Sequence, residues 1–331
     1  MVLLTSKDET EVQKATSIVD DWRQNHLPVL QLLADNLTEL FFAKRIDYLF
    51  TSQRLKRMTS IFDKLDKKED MKLGGLNDIG GLRFVFPDIS LVNKAIQILV
   101  ENQIESFELL NDPEKYNYIE RPAPSGYRSV HLVFKHNSSD ERYDGLRVEL
   151  QLRTKLQHDW ATAVESGEII TGMALKNSEG PDDWLNFFKI SSALFSIKEG
   201  RAVRPEFLGC DKIALCNKLI AIESNSRCLD LLKAFKAALL SIESKKYNQE
   251  YYLLNVDYDK RIVNVTSYSK DEFVIASQEY AKLECGIENQ KNAVVLVSAK
   301  SLKELRDAYP SYFIDTTEFL NEMDSFLKSH H

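Results

Sequence analysis

Apolar residues recur every three or four positions over 8–49, at Ile18, Trp22, Leu30, Leu33, Leu37, Leu40 and Phe41. That period predicts helix, with Pro28 breaking it into two. The stripe continues over 52–68 through Leu55, Met58, Ile61, Phe62 and Leu65, which predicts a further helix. After the glycine pairs at 74–75 and 80–81 the pattern shortens to an apolar strand that Pro87 ends. A helix follows over 89–101, with Ser90 as its cap, and after a loop containing Pro122, Pro124 and Gly126 comes a strand over 129–135. In the next strand, 146–153, the alternation has no exception: Leu146, Val148, Leu150 and Leu152 share one face, and Arg147, Glu149, Gln151 and Arg153 the other.

The remaining chain reads as a loop over 167–181, an amphipathic helix over 184–197 and a boundary near 200–205. Beyond it the spacing predicts one or two helices over 211–246, strands over 251–256 and 261–268 joined by a turn at 257–260, a helix over 271–284, a strand over 293–297, and helices near Leu302 and Phe319. Two domains follow, 1–205 and a smaller α+β unit, 206–331, for which autoinhibition, dimerisation or partner recognition are the open roles.

Composition agrees with two globular domains, since the 331 residues are 44% hydrophobic and 28% charged. No apolar run reaches the ~18 residues of a membrane span. The start of the chain lacks a secretory pattern, so a cytoplasmic protein without membrane attachment is expected. Cys210, Cys216, Cys228 and Cys285 form no CxxC pair and read as reduced packing thiols. A net charge of −7 excludes coating of nucleic acid through overall charge. Over 52–68, however, Arg54, Lys56, Arg57, Lys64, Lys67 and Lys68 face only Asp63 and Asp66. This basic island is either a solvated helix face or a face that holds phosphate. The polar row on 147–153 is likewise either the wet side of a sheet or, with a second carboxylate such as Asp78 beside Glu149, a metal and phosphate site.

Four blocks in order carry a resemblance: Arg54-Leu55-Lys56-Arg57 with Ser60 and Lys64; Asp78 to Arg83; Ser125-Gly126-Tyr127-Arg128-Ser129-Val130-His131; and Val148 to Thr154, followed by Trp160-Ala161 and Glu165. Over roughly 40–200 they resemble the RelA/SpoT nucleotidyltransferase domain of alarmone synthetases, including small and toxic forms. The resemblance implies a polymerase-beta-like α+β fold, a mixed sheet flanked by helices. It also implies a pyrophosphokinase that moves the β,γ-diphosphate of ATP to the 3′-hydroxyl of GTP or GDP, making (p)ppGpp and releasing AMP. Asp78 and Glu149 would hold Mg²⁺ and form the catalytic pair, with Glu149 as a candidate base. Arg54 and Arg83 would stack on adenine, while Lys56, Lys64 and Ser60 would bind the donor phosphates. On the acceptor side, Tyr127 would carry the base, beside His131, Gln151 and Arg153.

The sequence departs from the family pattern where Ala123 replaces a usual lysine, Glu165-Ser166 a usual Glu-His, and Leu175-Lys176 a usual Tyr-Lys. Arg121, Arg128 and Lys176 are candidate replacements for the lost cation. The departures keep two alternatives open: a toxin of the same fold acting on the tRNA 3′-end or on adenine nucleotides, with an antitoxin-like or homo-oligomeric partner, and a non-catalytic nucleotide-binding scaffold. His158-Asp159 lacks the upstream His and Asp residues of a metal-dependent hydrolase site, so no alarmone hydrolase activity is expected.

Overall fold

The computed structural model describes residues 9–66, 71–171, 173–229, 232–233, 250–257, 262–285, 292–298 and 316–328. The first helices are α1 (Glu9–Gln24) and α2 (His26–Ala43). The break falls at Asn25, and Pro28 sits in the first turn of α2, where a missing N–H costs nothing. The stretch read as one basic helix is a strand, β1 (Phe50–Leu55), followed by a short helix, α3 (Met58–Asp66). Pairing with the next strand overrides the helical spacing: β1 runs antiparallel to β2 (Gly80–Phe86), Arg54 opposite Gly81. Lys67 and Lys68 lie outside the described residues.

Helix α4 (Ile89–Glu101) starts on Asp88, whose carboxylate accepts from the Leu91 N–H, and Ser90 donates to that same carboxylate instead of capping. Strands β3 (Phe107–Leu109), β4 (Val130–His136) and β5 (Arg147–Thr154) complete a sheet of order β1-β2-β5-β4-β3. It is mixed, since β2 and β5 are parallel and the other neighbours antiparallel. Its apolar face, with Leu82, Phe84, Leu132, Val148, Leu150 and Leu152, buries against Leu30, Leu33 and Phe41 of α2 and Val92 and Ala95 of α4. The alternation in β5 thus sends its leucines to the core and leaves its polar row for the opposite face.

Helix α5 (Lys155–Thr171) extends into the stretch expected to be loop, and α6 (Asp182–Lys198) follows. Together with α7 (Lys212–Ser226) and α9 (Thr317–Lys328) they enclose a second core, in which Trp160, Phe187 and Phe195 share packing with Leu215, Phe319 and Phe326. The boundary expected at 205/206 therefore runs through one core. The C-terminal strands β6 (Tyr251–Asp257), β7 (Ile262–Tyr268) and β8 (Asn292–Ser298) form a separate sheet, packed on α8 (Phe273–Cys285) through Leu253, Tyr280 and Leu296. In this sheet β8 is an outer strand, and it lies against β1 of the large sheet. The turn expected at 257–260, most of 230–246 and the helix near Leu302 fall largely or wholly outside the described residues. No described helix is long and apolar enough to cross a membrane.

Candidate active site

Asp78 stands at the entry to β2, and three contacts fix it there. Ile79 after it is fully buried, Arg147 donates to Asn77 before it at 3.0 Å, and the Lys56 N–H donates to the Ile79 carbonyl at 2.8 Å. The last of these continues the β1–β2 ladder and brings Lys56 beside the carboxylate. Lys56 Nζ reaches Asp78 Oδ2 at 2.9 Å, and Lys64 Nζ, from α3, reaches the same oxygen at 3.0 Å. Burial pushes the Asp78 carboxyl up, but the two ammonium groups outweigh it and hold the group below its ordinary value. Asp78 Oδ1 is buried with no hydrogen-bond partner.

Glu149 lies opposite Gly81 in the parallel β2–β5 register, on the polar face. Its Oε1 accepts from Gln151 Nε2 at 2.8 Å and its Oε2 lies 3.4 Å from His131 Nδ1. Burial raises this carboxyl as well, and His131 and Gln151 reverse the shift, so Glu149 is held ionised. Arg83 Nε donates to Gln151 Oε1 at 3.4 Å. Ser52, Arg54, Asp78, Gly81, Arg83, Glu149 and Gln151 line one small pocket on this face. Arg54 lies across Gly81, where an added Cβ would meet Arg54 Cγ at 3.6 Å, an ordinary van der Waals contact.

Of the residues expected on the acceptor side, Gln151 lines this pocket, and Tyr127 and His131 form a relay leading away from it. The Tyr127 hydroxyl and His131 Nε2 are 2.9 Å apart, so His131 bridges Tyr127 and Glu149. Burial lowers the His131 pKa, but Tyr127 and Glu149 outweigh it and raise it to about 9, while His131 and Arg153 overcome burial to bring Tyr127 down to about 8. Instead of standing open as a platform, the Tyr127 ring is half-buried against the helical core. Tyr118, a residue the sequence reading missed, sets its ring edge-on to both Tyr127 and His131, with centroids 6.0 and 5.3 Å away. Only its place before the Ser-Gly-Tyr block could have flagged it.

Arg153 is on the expected face of β5 but buried under α5, where it lies 2.6 Å from His158 Nδ1. Asp159 is tied to Lys155 at 2.5 Å, so both members of the His-Asp pair have structural partners. Ser60 on α3 is not among the pocket's lining residues. Of the candidate replacement cations, Arg128 is fully buried against Glu199 at 2.6 Å and Lys176 pairs with Glu165 and Glu168. Arg121 lies 3.6 Å from Glu114. A further residue missed in the sequence is Arg23: fully buried, it donates to the Lys56 carbonyl at 2.7 Å and lies 4.6 Å from the Tyr280 ring centroid of α8.

The mixed sheet thus presents two carboxylates, Asp78 and Glu149, among lysines and arginines on its polar face. Residues 53–167, the stretch that holds Arg54, Asp78, Arg83 and Glu149, match the family model "Region found in RelA / SpoT proteins". The chain is 27% identical over 169 residues to the GTP pyrophosphokinase YwaC of Bacillus subtilis, covering 46% of this chain and 77% of that one. It is 28% identical over 130 residues to a GTP pyrophosphokinase of Haemophilus influenzae, of which the alignment covers 16%, and 38% of this chain. Among solved structures, small alarmone synthetase 2 of B. subtilis aligns at 22% identity and TM-score 0.43, over 56% of this chain and 96% of that one. Small alarmone synthetase 1 of the same organism, bound to its product pppGpp, aligns at 22% identity and TM-score 0.43, over 54% and 93%.

Proposed function

We propose that this protein is an ATP-dependent pyrophosphokinase whose acceptor is the 3′-hydroxyl of GTP or GDP. The observation that carries the reading is the convergence of Asp78, with its two lysines, and Glu149 on one pocket walled by Arg54 and Arg83. The similarity to two GTP pyrophosphokinases supports the same assignment. In the reaction a bond forms between the acceptor O3′ and the β-phosphorus, the bond from that phosphorus to the α,β-bridging oxygen breaks, and AMP leaves.

Lys56 and Lys64 are placed to exchange Asp78 for the donor's β- and γ-phosphate oxygens as these arrive. Arg54 and Arg83 offer planar guanidinium faces to the adenine. Glu149, ionised and oriented by Gln151 and His131, takes the proton from the 3′-hydroxyl. The free Asp78 Oδ1 and the Glu149 carboxylate are hard oxygen donors that suit Mg²⁺, which accepts few carboxylates beside substrate phosphates. Bound there, Mg²⁺ would supply charge neutralisation at the phosphates.

A second reading, a toxin of this fold modifying the tRNA 3′-end, is favoured by the acceptor side. Ala123 supplies no cation, and Arg128 and Lys176 are committed to carboxylates. Incubation with γ-labelled ATP and separate pools of GDP, GTP, ADP, ATP and deacylated tRNA decides between them. Label on GDP or GTP is the expected result, and label only on tRNA rejects the guanosine acceptor. Absence of label in every pool favours the scaffold reading.

A further inference from the structure

Between the large sheet and the C-terminal unit lies a cavity of about 210 Å³. One side is Leu27 and Gln31 of α2 with Gln53 and Arg54 of β1, and the other is Tyr251, Phe273 and Leu296. Arg54 therefore walls both this cavity and the pocket of Asp78 and Glu149. Among the described residues its guanidinium makes no hydrogen bond or ion pair, although all its N–H groups are donors.

The chemistry of the walls is specific. The rings of Tyr251 and Phe273 lie 4.9 Å apart at 47°, and with Leu27 and Leu296 they give apolar surface suited to a flat ring. At the polar end, the Gln53 and Gln31 amides are 3.4 Å apart and present donors and acceptors to a ring edge. The Arg54 guanidinium adds a planar cation for stacking or for a phosphate. Apolar walls, a polar edge and one cation describe a purine nucleotide more closely than a lipid or a peptide.

We infer that this cavity, built jointly by β1, α2 and the C-terminal unit, is a purine-base site that communicates with the proposed donor pocket through Arg54. The inference deepens the pyrophosphokinase reading and gives the C-terminal unit a share in nucleotide binding. Two sources of the base are compatible with the chemistry: the donor itself, its base turned past Arg54, or a second purine nucleotide acting as effector.

Titration calorimetry on the full chain separates them, with adenosine 5′-(α,β-methylene)triphosphate and GTP as probes. Phe273→Ala removes a half-buried ring and Leu27→Trp fills the cavity from the opposite wall, so a folding defect in one leaves the other informative. Loss of one stacking partner is expected to weaken binding about three- to tenfold. Weakening of the adenine analogue identifies the donor's base, and weakening of GTP alone identifies an effector. Either supports the purine site, whereas unchanged or tighter binding of both probes in both folded variants overturns it. The readout is binding, so a protein that binds in this way and transfers no label refutes the pyrophosphokinase reading alone.

Discussion

Gly126 is the position at which a single methyl group tests the acceptor side. Its φ of +95° lies where a side chain is disfavoured by about 1–2 kcal/mol. An added Cβ would lie 3.0 Å from Ser192 Cβ and 3.2 Å from Trp160 Cζ2. Neither neighbour yields freely: Ser192 donates to the Gly126 carbonyl at 2.5 Å, and the Trp160 indole donates to the Phe188 carbonyl at 2.9 Å. Overpacking of this kind typically costs ~1–3 kcal/mol, so Gly126→Ala is expected to lose roughly 2–5 kcal/mol in all. Part of that strain is relieved by moving the loop, which displaces Tyr127 and through it His131. Urea unfolding should report the lost stability, and steady-state kinetics should show a raised KM for the acceptor with the KM for ATP unchanged. Wild-type stability together with an unchanged acceptor KM would refute the reasoning, because it would mean that the loop neither resists the methyl group nor positions Tyr127.

Asp78→Asn should abolish transfer while keeping the fold, and bind ATP at least as tightly, since it removes a negative charge facing the phosphates. The same variant tests pH linkage. A carboxyl held below its ordinary 3.8 contributes stability above that value, and the contribution is lost as pH falls through the folded value, so the variant should show a shallower acid loss in urea midpoints. The His131 ring should titrate at about 9 by NMR, and Glu149→Gln should bring that value down; an unmoved value would remove Glu149 as its partner. Glu199→Ala leaves the buried Arg128 without its carboxylate and should cost about 3–5 kcal/mol in chemical denaturation. A cost within error of zero would mean that Arg128 finds another partner or reaches water.

The polar row of β5 was legible in the sequence because strand alternation fixes which residues share a face. The same rule did not reveal that α5 would cover Arg153 while leaving Glu149 and Gln151 at the pocket. The 52–68 stretch misled for a physical reason: its apolar positions fit a helical stripe, but Phe50 to Leu55 gain a full antiparallel ladder with β2, which local spacing cannot register. Asp88 and Ser90 compete for one cap, and the carboxylate, two residues earlier, wins. Arg23 and Tyr118 lie outside the four motif blocks, and it is the full burial of Arg23 and the ring contacts of Tyr118 that mark them. The shared core of α6, α7 and α9 was hidden because pairing between distant helices leaves no trace in local periodicity.

The position of β8 against β1 has a consequence for solubility. An outer strand offers unpaired N–H and C=O groups to any other chain, and β3, the far edge of the large sheet, limits this by being three residues long. At six residues β1 has no such protection, and the C-terminal unit lies where another strand would dock. Cutting that unit away would therefore expose an adhesive edge as well as open the cavity beside Arg54. A shortened chain should self-associate, and its loss of activity would need to be separated from aggregation before being read as loss of control.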